Sequence, residues 1–138
     1  MAIALNTALQ NYIVTTGVIA ALGNGNAILR VYNGTRPGTA GGSTAGCALL
    51  VQIGTAGAGI GWNASTSGSA GITGNFTGTC GSTGTASWAR LSDSGGVNYI
   101  IDGNVGTAST SDFTIDNIVV TLAGVVTLTQ ASIVQPGT

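Results

Sequence analysis

Thr85-Ala86-Ser87-Trp88-Ala89-Arg90-Leu91-Ser92-Asp93-Ser94-Gly95-Gly96-Val97-Asn98-Tyr99-Ile100-Ile101-Asp102-Gly103-Asn104 is the stretch on which the fold class turns. Thr85 to Leu91 alternates in the period of a strand. Ser92 to Gly96 is a turn composition, and Val97 to Ile101 is a second β-branched and aromatic run. Asp102-Gly103 has the residue pair of a two-residue hairpin turn of the primed kind, so Asn104 onward is expected to return as a third strand. Further along, residues 113–121 and 125–134 read as two more strands separated by Ala123-Gly124. Strands recurring every 8 to 12 residues with turn signals between them predict an all-β protein, an antiparallel β-sandwich of immunoglobulin-like or jelly-roll-like kind.

Working upstream, Ala27 to Tyr32 has period two: Leu29 and Val31 face one way, Ile28, Arg30 and Tyr32 the other. Asn33-Gly34 and Pro37-Gly38 end that strand. Cys47 to Ile53 is apolar apart from Gln52, as expected of a central strand. Residues 54–87 are rich in Gly, Ser, Thr and Ala with isolated apolar residues, and one short strand is expected near 70–76. At the front, Asn6 is placed to cap a helix whose stripe is Leu9, Ile13, Gly17 and Ala20, extended by Leu5 and Val18, with Gly23 to Gly25 as its stop. The β-branched Ile13-Val14-Thr15-Thr16 leaves an extended arm as the alternative. The expected division is therefore a helix or arm over 1–25 and a sandwich over 26–138.

Composition narrows the functional classes. Gly, Thr, Ala and Ser make up 73 of 138 residues, and only seven carry charge: Arg30, Arg36, Arg90, Asp93, Asp102, Asp112 and Asp116. With no His, Lys or Glu, the usual groups for acid–base chemistry near neutral pH are missing, and the chain is not expected to be an enzyme. Three Arg at a net charge of -1 form no footprint for nucleic acid. Residues 1–22 lack the basic start and unbroken apolar run of a secretory signal, and no run of about 20 apolar residues predicts a membrane span. Production in a cytosol is expected, with Cys47 and Cys80 as reduced, packed thiols.

The sequence carries few motifs of a chemical site. Gly54-Thr55-Ala56-Gly57-Ala58-Gly59-Ile60-Gly61 lacks the Gly-Lys-Ser/Thr of a phosphate loop, and Gly68-Ser69-Ala70-Gly71 lacks the spacing of a nucleophile elbow. Asp112 and Asp116 do not follow a calcium-loop pattern. The Asn-x-Ser/Thr triplets at Asn33, Asn63 and Asn75 are chance in so Ser/Thr-rich a chain. No cofactor or metal is implied. One constellation remains: Arg30-Val31-Tyr32 and Trp88-Ala89-Arg90 each set an Arg and an aromatic on one face of a strand. Antiparallel pairing would build an Arg/aromatic ladder. It serves either as an internal brace in which Asp93 or Asp102 satisfies an Arg, or as a contact patch, since Arg, Tyr and Trp dominate interface hot spots.

A diffusing domain ordinarily has about a quarter of its residues charged. A β-protein with 5% is expected to be covered by partners or to present a Thr/Ser/Asn surface. Leu29-Arg30-Val31-Tyr32-Asn33-Gly34-Thr35-Arg36-Pro37, Gly84 to Leu91 with Asp93-Ser94-Gly95-Gly96, Asp102-Gly103-Asn104-Val105-Gly106 and Leu128 to Gly137 resemble small structural proteins of tailed bacteriophages. The likeness spans most of the chain, outside about 54–80. It implies a virion component on the capsid exterior, assembled in the host cytoplasm. The expected role is a capsid decoration (cement) protein that forms a homo-oligomer, a trimer, and bridges major capsid protein subunits, without nucleic acid or membrane. Its candidate interface residues are Arg30, Tyr32, Arg36, Trp88 and Arg90, with Leu9 and Ile13 on the N-terminal segment. The alternatives are a tail-associated or receptor- or glycan-binding virion protein with Trp62, Trp88, Tyr32 and Tyr99 stacking on sugars, and a Thr-rich surface-binding protein.

Overall fold

The structure is a computed structural model that describes residues 4–96 and 98–134. The N-terminal helix starts at Asn6, whose side-chain oxygen accepts the Leu9 amide at 2.9 Å, so the capping expectation holds. Helix α1 spans Thr7–Tyr12, continues as a π-helical segment over Ile13–Ile19 and closes as α-helix over Ala20–Leu22, stopped by Gly23 at φ +81°. The π segment shifts the buried face away from the expected stripe. Hydrogen bonds from i to i+5 widen the turn and bring residues five apart onto one side, so Val14 and Ile19, with Leu22, enter the core. Leu9, Gly17 and Ala20 remain exposed and Ile13 half-buried.

Among the described residues ten strands follow: β1 Ile28–Tyr32, β2 Leu49–Ile53, β3 Ser69–Gly71, β4 Phe76–Thr79, β5 Gly84–Thr85, β6 Trp88–Ser92, β7 Ile100–Gly106, β8 Phe113–Ile115, β9 Val119–Val120 and β10 Val125–Val134. The chain is thus mostly strand with one small helix. The main sheet runs β2-β1-β6-β7-β8-β10-β3, with β4 also on β10 and β5–β9 as a separate pair. It curls until β4 meets β2: Val51 bridges Cys80, and the Gly81 amide donates to the Leu50 carbonyl at 2.9 Å. Leu29, Val31, Leu91, Ile115, Val126 and Leu128 point inward with the helix residues into one core.

Several expectations need correction, the first being that 85–91 and 113–121 are single strands: each is broken, into β5 with β6 and into β8 with β9. The sheet is mixed rather than antiparallel, because β7 and β8 run parallel at Val105↔Phe113 and Gly106↔Thr114. Asp102-Gly103 is not a hairpin turn: β7 passes straight through it, with Asp102 opposite Arg90 and Gly103 opposite Ala89. Gly103 is needed there for close approach instead, since a Cβ would sit 2.8 Å from Cε2 of Phe113. The strand expected near 70–76 is split into β3 and β4 around a bend at Thr73-Gly74.

The Gly-rich middle of the chain is held by Asn side chains in place of charges. Asn24 Oδ1 accepts the Trp62 amide at 2.7 Å, and Asn26 Oδ1 accepts the Gly57 amide at 2.7 Å. Asn11 Oδ1 accepts the Gly68 amide at 2.7 Å and so ties the helix to that loop. Each carboxamide satisfies backbone that forms no ladder.

Candidate interaction surface

The antiparallel register of β1 with β6 sets Tyr32 beside Trp88 and Arg30 beside Arg90, so the Arg/aromatic ladder forms on one face. The two rings stack with centroids 4.5 Å apart and planes 13° from parallel, and Arg90 Cζ lies 5.4 Å from the Trp88 ring. On the far side, β7 brings Asp102 opposite Arg90. Nε and Nη2 of Arg90 donate to the two carboxylate oxygens at 2.7 and 2.8 Å, a fork that only Arg presents. The hydrogen bonds that Arg90 donates to Asp102 raise its pKa above the ordinary guanidinium value, against a smaller lowering by burial.

The loop between β1 and β2 folds over this ladder. Gly42 O accepts from Arg90 Nη2 at 3.0 Å, the Gly41 amide donates to Asp102 Oδ2 at 3.2 Å, and Asn33 O accepts Trp88 Nε1 at 3.1 Å. Trp88 is left only 1% exposed, and the Arg90 and Asp102 side chains 11% and 4%. Among the candidate interface residues, Trp88, Tyr32 and Arg90 therefore serve as an internal brace in the single chain. Of the four rings considered as a sugar platform, Trp62, Trp88 and Tyr32 are buried and only Tyr99 is exposed.

The remaining candidates lie nearer the surface. Arg30 is half-buried, its Nη1 donating to Ser92 Oγ at 3.3 Å. Arg36 is exposed, its Nη1 4.0 Å from Asp112 Oδ2. The other carboxylates are also engaged: Asp93 accepts the Gly96 amide, Asp112 the Asn104 amide and Asp116 the Thr127 amide. Asp112 and Asp116, considered for calcium, thus hold separate backbone amides. All seven charged side chains have partners within the chain. The outer surface meanwhile carries Leu9 and Tyr12 on the helix, Val119, Leu122 and Val125 around the β9–β10 end, and Leu49, Tyr99 and Val134. Composition signalled this scarcity of free charge, but which apolar residues stay outside depends on the π segment and on the curl of the sheet.

Cys47 and Cys80 are free. Burial, then the negative charge of Asp116, pushes the Cys80 thiol above its ordinary pKa and keeps it protonated near neutral pH. Maleimide labelling of the native protein, followed by mass spectrometry, is expected to modify half-buried Cys47 at least tenfold faster than Cys80. Equal rates would show that Cys80 is not shielded.

The chain matches no known protein family, no curated protein and no solved structure.

Proposed function

We propose that the chain is a structural protein of a phage virion: a capsid decoration (cement) protein on the capsid exterior that trimerises and bridges major capsid protein subunits, with no catalysis and no cofactor. The observation that carries this reading is the surface. Only seven side chains carry charge, and Arg90 and Asp102 are buried against each other, while among the described residues eight large apolar side chains stay exposed. A surface with so few charges is weakly guarded against association, and burial against neighbours removes apolar area from water at about 25 cal/mol per Å². A protein that binds only the assembled shell stabilises it by mass action. As the finer description of the fold we propose the β-sandwich, with β2-β1-β6-β7 and β8-β10-β3 with β4 as its layers. What supports it is the one core shared by Leu29, Val31 and Leu91 with Ile115, Val126 and Leu128.

The test is sedimentation of the purified protein alone and with empty phage shells. A trimer that cosediments with shells and raises their melting temperature is the expected result, and the double variant Leu9→Ser with Tyr12→Ser is expected to weaken shell binding at least tenfold. A monomer at millimolar concentration with no affinity for shells would overturn the reading.

A further inference from the structure

The curled sheet has a gap beside β8, where β7 and β10 run on past its start. β8 keeps β7 and β10 one strand apart where it pairs with both, but it begins only at Phe113. Beyond its start, Ile100 to Asn104 of β7 and Ser132 to Val134 of β10 continue with no strand between them among the described residues. The opening is a cavity of about 490 Å³ lined by both strands, with Leu91, Trp62 and Phe113 beneath and Arg36, Ser111 and Asp112 at its mouth. A gap left by one missing strand is roughly 9.6 Å across, twice the strand spacing.

The backbone on both walls points into this gap. The Val105 amide donates to Ser87 O and the Asp93 amide to Tyr99 O, so the odd-numbered residues of β7 face β6. Alternation then turns the N–H and C=O groups of Ile100, Asp102 and Asn104 to the other side, where Ile100 lies beside the N-terminal helix and Asp102 is the residue that β7 presents to the gap. On β10 the Ala131 carbonyl accepts the Ile72 amide on the β3 side, so Ala131 and Ile133 face β3, and Ser132 and Val134 face the gap. The register shift between Leu128 and Gln130 produces this phase. One end is already stoppered, the Asn104 amide by Asp112 Oδ2 at 2.7 Å, while the Asp102 carbonyl has only a 3.5 Å contact with Arg36 Nη1.

From this geometry we infer that the gap between β7 and β10 receives an extended strand donated by another polypeptide, uncharged and with small apolar side chains at alternate positions. Two facing rows of backbone donors and acceptors suit a peptide strand, which completes the sheet by main-chain pairing. The floor of Leu91, Trp62 and Phe113 accepts apolar side chains and penalises charge. The donor is a different protein, because every described strand of this chain already has a partner. The inference rests on the proposed virion role only for the source of the strand, a neighbouring subunit of the particle.

The test is residue-resolved amide exchange on the full chain with a blocked Thr-Val-Thr-Val-Thr peptide as probe. In dilute protein the Asp102, Ser132 and Val134 amides are expected to exchange at least tenfold faster than those of Gly103, Ala131 and Ile133. Millimolar peptide is expected to slow them tenfold or more. Ser132→Pro, which removes one gap-facing donor, and an N-methylated peptide are each expected to abolish that protection, while Ser132→Ala keeps it. The peptide arm stands even if Ser132→Pro fails to fold. Protection of these amides already in dilute protein would mean that the chain fills its own gap. Protection rising with protein concentration alone would mean a second copy fills it. Either result, or no response to peptide, overturns the inference. Peptide binding without shell binding would sink the virion role and leave the gap's function intact.

Discussion

Asp102→Ala is expected to lower the free energy of unfolding by about 3 to 5 kcal/mol, because it strands a guanidinium that the fold has taken out of water. Arg90 has no second carboxylate within reach among the described residues, and its other acceptor is the Gly42 carbonyl. The damage is expected to spread to the loop between β1 and β2, since Asp102 also holds the Gly41 amide. Much of the loss comes from the orphaned charge rather than from the worth of the pair. The double variant Arg90→Met with Asp102→Leu is therefore expected to be more stable than Asp102→Ala alone. Because the Arg90 pKa is raised, its contribution is complete below the ordinary guanidinium range and is lost only as pH rises through the higher folded value. Arg90 titration is thus expected to add no slope to stability between about pH 5 and 9. Urea titrations of the three proteins measure this, and a loss under about 1 kcal/mol for Asp102→Ala would show the pair to be solvent-screened.

Gly78→Val is expected to cost about 3 kcal/mol or more, for a different reason. A Cβ at residue 78 runs into the Gln52 carbonyl and comes within 2.9 Å of Val51 Cγ2. The obstacle is backbone, and β2 is fixed on its other side by its register with β1, so it cannot step away. Overpacking of side chains alone typically costs 1 to 3 kcal/mol, and here the contact between β4 and β2 must open as well. Gly81→Ala is the control, since nothing lies within 4 Å of its added Cβ. It is expected to stay within about 0.5 kcal/mol of the parent. Thermal unfolding of the pair checks the contrast, and equal midpoints would mean that the sheet does not close at β4.

The two sites differ in how far they could be read beforehand. Arg30, Tyr32, Trp88 and Arg90 declare a shared face through period-two spacing, and the choice of Asp102 or Asp93 as the partner of an Arg was already narrow. Asp102-Gly103 misled because a residue pair favoured in hairpin turns has a second use. The carboxylate can serve a cross-strand Arg, and the missing Cβ can admit a ring, but only the arrival of Phe113 distinguishes these uses. The helix shows the same limit. Its cap and stop are local and were legible, whereas the buried face moved to Val14, Ile19 and Leu22 because the π segment reset the period.

By itself, the order of residues determined a β-rich chain with a capped N-terminal helix, an Arg/aromatic ladder and a surface short of charge, since periodicity, caps and composition act over a few residues. Tertiary structure alone decided that the sheet is mixed and curls back to β2, that a loop roofs the ladder, and that a gap stays open beside β7. Those outcomes depend on where β8 and β10, distant in the chain, come to lie, and on a one-residue register shift in β10. Such a shift reverses which backbone groups face outward, and its trace in the side chains is short: burial passes from Val126 and Leu128 to Ala131 and Ile133 across the exposed Thr129-Gln130.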